Sequence, residues 1–374
     1  MQAYFDLQDV IHLNHAAVGP WPIRTSDAVC AFARENARQG SKNYDRWIQR
    51  ETELRQRLAK LINASSTEEI ALLKSTSEGL SVIAYGLEWS PGDNIVIPAE
   101  EFPSNRMVWQ SLESQGVETR LVPITTSETP EQDLIDAMDK NTRLLSCSSV
   151  QYASGFRLDL QQLGENCKQQ QVLFCIDGIQ SIGALQFDAQ AYQADFVVAD
   201  GHKWMLGPEG CALFYCRSEL INTLQLKQFG WHMMKNMFDF DSKQWSADTT
   251  ARRFECGSPN ILGGVGLHAS LGLLLEVGIA EVEQRLLENT RYLVERLQAL
   301  DQVKVLSART PLRQSGIVQF IKTGCDLDAL YQHLQANNVI CALRGKGIRF
   351  SPHFYTSSSK IDEALTPVSY THLT

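Results

Sequence analysis

Lys203 has the strongest claim to chemistry in this sequence. An apolar run, Asp-Phe-Val-Val-Ala-Asp200, leads into Gly-His202-Lys203-Trp-Met-Leu-Gly-Pro. A lysine just past a buried strand is costly unless it is exposed, paired or used covalently. A second run, Val-Leu-Phe-Cys-Ile-Asp177, ends on an acid. Between the two there is room for a turn and one more strand, so both can close strands of one sheet. An amine that bonds a carbonyl carbon and a carboxylate that keeps a ring nitrogen protonated are what pyridoxal phosphate requires of a protein. On spacing alone, a surface lysine with a turn aspartate is an equal alternative.

The elements that would place these groups can be read around them. The apolar, β-branched and aromatic runs between Val172 and Cys216 suit strands covered on both faces. Further strands are expected at Glu69–Leu73, Asn94–Ile97, Glu118–Pro123 and Arg143–Val150. They alternate with helices at Leu80–Leu87, from Asn105 to about Gln115, at Glu131–Asp139 and at Asp159–Gln170. This alternation predicts an α/β fold with a mainly parallel sheet and helices on both faces, with ligands off the carboxyl ends of its strands. Lys74-Ser75-Thr76-Ser77-Glu78-Gly79 falls between a strand and a helix. Hydroxyls and free N–H groups there form an anion site suited to phosphate, with plain helix capping as the other reading. The charges from Arg50 to Arg57 predict a solvated helix face.

Asp177-Gly-Ile-Gln180 followed by Gly-His202-Lys203-Trp-Met-Leu-Gly-Pro-Glu-Gly resembles the cofactor core of the class V aminotransferase family. That family includes cysteine desulfurases, selenocysteine lyases, kynureninases and isopenicillin N epimerase-like enzymes. The resemblance runs over nearly the whole chain. It implies the pyridoxal-phosphate-dependent transferase fold type I and pyridoxal 5'-phosphate as cofactor. Lys203 would be the Schiff-base lysine, Asp177 the partner of the pyridinium, and Gln180 a hydrogen-bond partner of the ring hydroxyl oxygen. Thr76, Ser77 and His202 would hold the phosphate, and Phe102, which precedes Pro103, would stack on the ring where desulfurases use His.

Further segments carry the resemblance to the end of the chain. Arg253-Phe-Glu-Cys-Gly-Ser258-Pro is similar to a segment whose hydroxyl crosses a two-fold interface to the partner's phosphate. A homodimer with shared active sites is implied. Arg349 matches the arginine that clamps the substrate carboxylate, with Arg344 a second candidate. Asn14 belongs to an N-terminal arm that folds over the site's mouth. Gln151 or Tyr152 is expected to line the substrate pocket. Asp200 departs from the serine common in desulfurases. Beside a phosphate it must turn away, pair with a cation such as His202, or be protonated. Desulfurases also carry a nucleophilic cysteine between their last two strands, where this chain has only Arg344-Gly-Lys-Gly.

The chain has 374 residues, 44% of them hydrophobic and 21% charged, enough to bury a large core in two domains. The expected organisation is an arm at 1–24, a large cofactor-binding domain at 25–258 and a small C-terminal α/β domain at 259–365. The stretch 366–374, which begins Thr-Pro-Val, reads as a foreign or disordered tail. A net charge of −9 argues against nucleic acid and anionic membranes as partners. No signal peptide and no membrane span is expected. Nine scattered cysteines without a Cys-x-x-Cys pair favour reduced thiols in the cytoplasm over disulfides or a metal site. The expected activity is transamination of a small amino acid. A cysteine desulfurase or selenocysteine lyase type of C–S(e) lyase lacking the loop cysteine is the alternative, and a non-catalytic scaffold of the same fold comes third.

Overall fold

The computed structural model describes residues 4–307 and 310–369. After a short strand β1 (Ile11–His12), two helices, α1 (Ile23–Gln39) and α2 (Tyr44–Leu61), lead into the large body. Its succession is β2 (Ile70–Leu73), α3 (Thr76–Gly86), β3 (Asn94–Pro98), α4 (Ser104–Gln110), β4 (Glu118–Val122), α5 (Pro130–Asp136), β5 (Thr142–Ser148), α6 (Leu160–Gln170), β6 (Leu173–Asp177), β7 (Phe196–Asp200) and β8 (Ala212–Cys216). The seven strands pair in the order β2-β8-β7-β6-β5-β3-β4. Only β8 runs against the others.

The period-two pattern of the strands sorts their side chains between two cores. On β7, Phe196 and Val198 face one core with Leu80 and Ile83 of α3, while Val197 and Ala199 face the other with Leu163 of α6. Both faces being covered, β3, β7 and β8 are buried along their whole length. Helix α3 lies unusually close to the sheet. A Cβ on Gly79 would stand 2.7 Å from Val198 Cγ1. That approach, with Ser75 capping α3 through the Glu78 N–H, brings the helix N-terminus to the strand ends.

From residue 217 to 260 the chain makes only short helical turns and isolated bridges. Then follow α7 (Ile261–Val277), α8 (Ile279–Gln298), β9 (Val303–Val305), β10 (Val318–Lys322), α9 (Leu327–Ala336), β11 (Val339–Ile340), β12 (Ala342–Arg344), β13 (Gly347–Phe350) and α10 (Ser358–Ser369). A four-stranded antiparallel sheet, β12-β13-β10-β9, carries α8, α9 and α10. Cys341 separates the two short strands β11 and β12: β11 pairs with β1 of the arm and β12 with β13.

Three expectations need correction. Helix α7, placed beyond residue 258 with the small body, packs on α1 and α2, and its Leu267, Leu271 and Leu274 join the core of the large sheet. The charges of α2 are not all solvated: Arg55 bridges the buried carboxylates of Glu51 and Glu255. The helix does not break at Thr366. Helix α10 runs through Pro367 to Ser369, Val368 is fully buried in the small core, and the Val368 carbonyl accepts from Lys322 Nζ at 2.7 Å. Residues 366–369 are therefore part of the fold, and residues 370–374 lie outside the described residues. Among the described residues no single helix is long and apolar enough to cross a membrane. Val368→Ala should destabilise the protein by about 1–3 kcal/mol in a urea titration; an unchanged midpoint would show that α10 adds no packing.

Candidate active site

The carboxyl ends of β5, β6 and β7 bring Ser148, Asp177 and Asp200 to one edge of the sheet, and Lys203 lies in the turn after β7. These residues line a cavity of about 340 Å³ together with Thr76, Ser77, Phe102, Gln180, His202, Arg344 and Arg349. Nine of the eleven residues given a role by the resemblance are thus in one place, and Ser258 and Asn14 are not on its wall. No cysteine lines it.

Desolvation sets the electrostatics. Burial pushes the Asp177 carboxyl up, with nearby Glu101 adding to the effect and the Ile179 N–H, 3.0 Å from Oδ1, opposing it. Burial pushes the Lys203 amine down, against the pull of Asp177. The two line the same cavity without ion-pair contact, and the Lys203 ammonium lies 5.7 Å from the Phe102 ring centre. Phe102 meets Tyr152 edge to face, with ring centres 5.2 Å apart. At the other end, Thr76 Oγ1 accepts from the Asp200 N–H at 3.1 Å, and Ser77 donates to Ser104 Oγ at 2.9 Å. His202 Nδ1 is 2.9 Å from Asp200 Oδ1. Of the three choices open to Asp200, approach to His202 is the one seen, without hydrogen-bond geometry between the two atoms.

Arg349 enters from the small body on β13 and is only 2% exposed. It donates to the Tyr152 carbonyl at 2.6 Å and reaches Asn14 Oδ1 at 3.5 Å, while its Nε has no partner. No carboxylate among the described residues pairs with it. Burial, then repulsion from Arg344, pushes its guanidinium down to about 10. Asn14 therefore orients Arg349 rather than lining the cavity. The arm is held tightly: Gly19 N–H donates to the His202 carbonyl at 2.8 Å, and a Cβ on Gly19 would meet the Lys203 carbonyl at 2.4 Å. Tyr152, not Gln151, lines the pocket.

Other residues at the site carried no sequence signal. Glu101, buried beside Phe102, accepts from the Ser148 N–H at 2.6 Å, from the Ser148 hydroxyl, and from Gln151 Nε2 at 3.1 Å. It ties the end of β5 to the loop that carries Phe102. Trp204 Nε1 donates to Gln180 Oε1 at 2.8 Å. Ser258 lines a separate concavity of about 530 Å³, with Lys74 and Glu78, and accepts from Trp231 Nε1 at 3.3 Å. Glu255 fixes that segment to β2 by accepting from the Leu72 N–H at 2.8 Å.

The residues present fit pyridoxal phosphate. A buried acid and a half-buried amine share one cavity, a flat ring flanks it, hydroxyls stand at a helix N-terminus, and a buried arginine has no carboxylate partner among the described residues. Fold and site together define a cofactor-dependent enzyme of amino-acid chemistry. The class V aminotransferase model matches residues 11–360, and the chain belongs to that family. With the family comes its cofactor, pyridoxal 5'-phosphate.

Relatives refine the comparison. A probable cysteine desulfurase of Methanothermobacter thermautotrophicus is 29% identical over 95% of this chain and 93% of its own. A cysteine desulfurase of Klebsiella pneumoniae is 30% identical over 84% and 78%. The cystine C–S lyase C-DES, solved with its reaction product cysteine persulfide, superposes with a TM-score of 0.90 at 23% identity, covering 97% of this chain and 98% of its own. That likeness is one of fold. Lys203→Ala protein should keep its fold and lack a borohydride-reducible bond to the cofactor; a reducible bond persisting in the variant would remove Lys203 from its role.

Proposed function

We propose that this enzyme is a pyridoxal-phosphate-dependent C–S lyase that eliminates sulfur from a cysteine-derived amino acid. Full-length similarity to cysteine desulfurases carries this reading over the transaminase expected from the sequence. The cofactor, once bound, supplies an electron sink for the bond broken at Cα. Arg349 clamps the substrate carboxylate, and Asp177 holds the proton on the ring nitrogen. Lys203, its amine pushed down to about 8 by burial, takes the Cα proton. The C–S bond then breaks with its electron pair leaving on sulfur. The released 2-aminoacrylate reacts with water to give pyruvate and ammonia.

The cavity wall bears on which sulfur chemistry is accessible. Desulfuration to alanine requires a thiol that accepts the sulfur, and no cysteine lines the cavity. Cys341 is buried between β11 and β12, and Cys256 lies on the Ser258 segment, where it contacts Gln228. Elimination from a disulfide or thioether of cysteine needs no such thiol, because the sulfur leaves with its own substituent. Transamination remains the second reading, favoured by the same missing thiol. We further propose a homodimer in which Ser258 serves the partner's phosphate site, since it lies off the cavity of its own chain.

L-Cystine supplied to the holoenzyme should yield pyruvate and ammonia in equal amounts without any added oxo acid. Turnover that depends on an oxo acid would establish transamination instead, and alanine formed from cysteine would establish a desulfurase. Asp177→Asn should bind the cofactor and lose at least about a hundredfold in kcat. Arg349→Ala should raise KM by about tenfold or more with a smaller change in kcat. A near-normal kcat in the first variant or KM in the second would contradict the role given to that residue.

A further inference from the structure

Trp204 follows Lys203 directly, yet its side chain turns away from the cavity and is 1% exposed. The indole packs with Ala16, Val150, Leu286 and Ile317. A Cβ on Gly316 would lie 2.4 Å from the ring, so the small body presses a bare backbone against it. The Trp204 carbonyl accepts from His353 Nε2 at 3.1 Å, which requires the proton on that nitrogen. The indole therefore has no room to turn, and its N–H has one partner, Gln180 Oε1 at 2.8 Å.

That contact decides which way a cofactor-facing amide points. The two ends of a glutamine amide are alike in shape and opposite in hydrogen bonding. An indole N–H only donates, so the end it meets is oxygen. The Ala16 carbonyl only accepts, so the end 3.0 Å from it is nitrogen. Two independent partners give the same orientation. Gln180 is 2% exposed, and with its oxygen turned to the indole and one N–H used, the hydrogen it can present to the cavity is the second N–H.

We propose that Trp204 is a positioning residue for the cofactor: by capping Gln180 Oε1 it commits the Gln180 amide to donate to an acceptor oxygen on the cofactor ring. Removing the indole N–H leaves a buried amide oxygen without a donor, and the Ala16 carbonyl alone then holds the amide against turning that oxygen toward the cavity. This inference rests on the reading that Gln180 faces the cofactor ring. It holds whichever reaction the enzyme catalyses.

The test is a pH titration of the holoenzyme, followed by the visible absorbance of the bound cofactor without substrate. A donor favours the form in which the ring oxygen carries charge, so its loss raises the midpoint of the colour change. Trp204→Phe, which keeps an aromatic ring and drops the N–H, should raise the midpoint by about one pH unit. Gln180→Leu should raise it similarly, and the double variant should go no further than the larger single effect. A Trp204→Phe midpoint equal to wild type, or a Trp204→Phe effect that adds in full on Gln180→Leu, overturns the proposal. A null result in Gln180→Leu itself also overturns it, and places the error in the assignment of Gln180 to the ring. Should Trp204→Phe fail to fold, hydrogen exchange in the folded proteins answers instead. The Trp204 indole N–H should be protected in wild type and lose protection in Gln180→Leu; equal protection in both overturns the proposal.

Discussion

Two opposite charges held out of water are the constraint on which this structure turns. Asp177 is buried and Lys203 half-buried, desolvation disfavours the ion of each, and the sheet, the arm and the small body together enclose them. Neither group is satisfied by the other at contact distance. Each is left at a free energy that a ligand bearing the complementary charge lowers, and removing either partner alone would strand the other. A site built this way has both groups shifted before anything binds.

Keeping the pair dry takes parts from distant stretches of chain. The arm crosses between the bodies, bonding to Ser351 on one side and to the turn of His202 and Lys203 on the other. His15, fully buried, gives its Nδ1 proton to the Ser351 carbonyl and accepts from the Tyr355 hydroxyl. Burial holds His15 well below the usual histidine range and pushes His353 down to about 4, so both stay neutral and serve as fixed hydrogen-bonding struts. Arg349 reaches the cavity only because the small body is seated on this frame. The position of this guanidinium is thus a property of domain placement as well as of one side chain.

The large sheet was legible because each strand is a short apolar run closed by polar or turn residues, and because chemistry falls at those closures. Lys203, Asp177, Thr76 and Ser77 were readable for that reason. What failed to read has equally physical causes. Helix α7 is apolar all round, the mark of a helix enclosed by the core, but sequence order alone put it with the body that follows. Arg55 has the spacing of a solvated helix and is instead balanced by Glu255, some two hundred residues away. Pro367 suggested an end, but near the last turn of α10 a missing N–H costs less than in a helix centre. Glu101 and Trp204 matter through partners distant in sequence, and no local pattern announces such pairs.

The uncompensated guanidinium of Arg349 has a consequence for handling the protein. A buried cation without a counter-ion among the described residues will recruit one from the medium, and it offers a seat to small carboxylates such as acetate, formate or citrate. Whatever occupies it binds only the native state and so shifts the folding equilibrium with its concentration. Buffer composition therefore enters both the apparent affinity and the melting temperature of this enzyme.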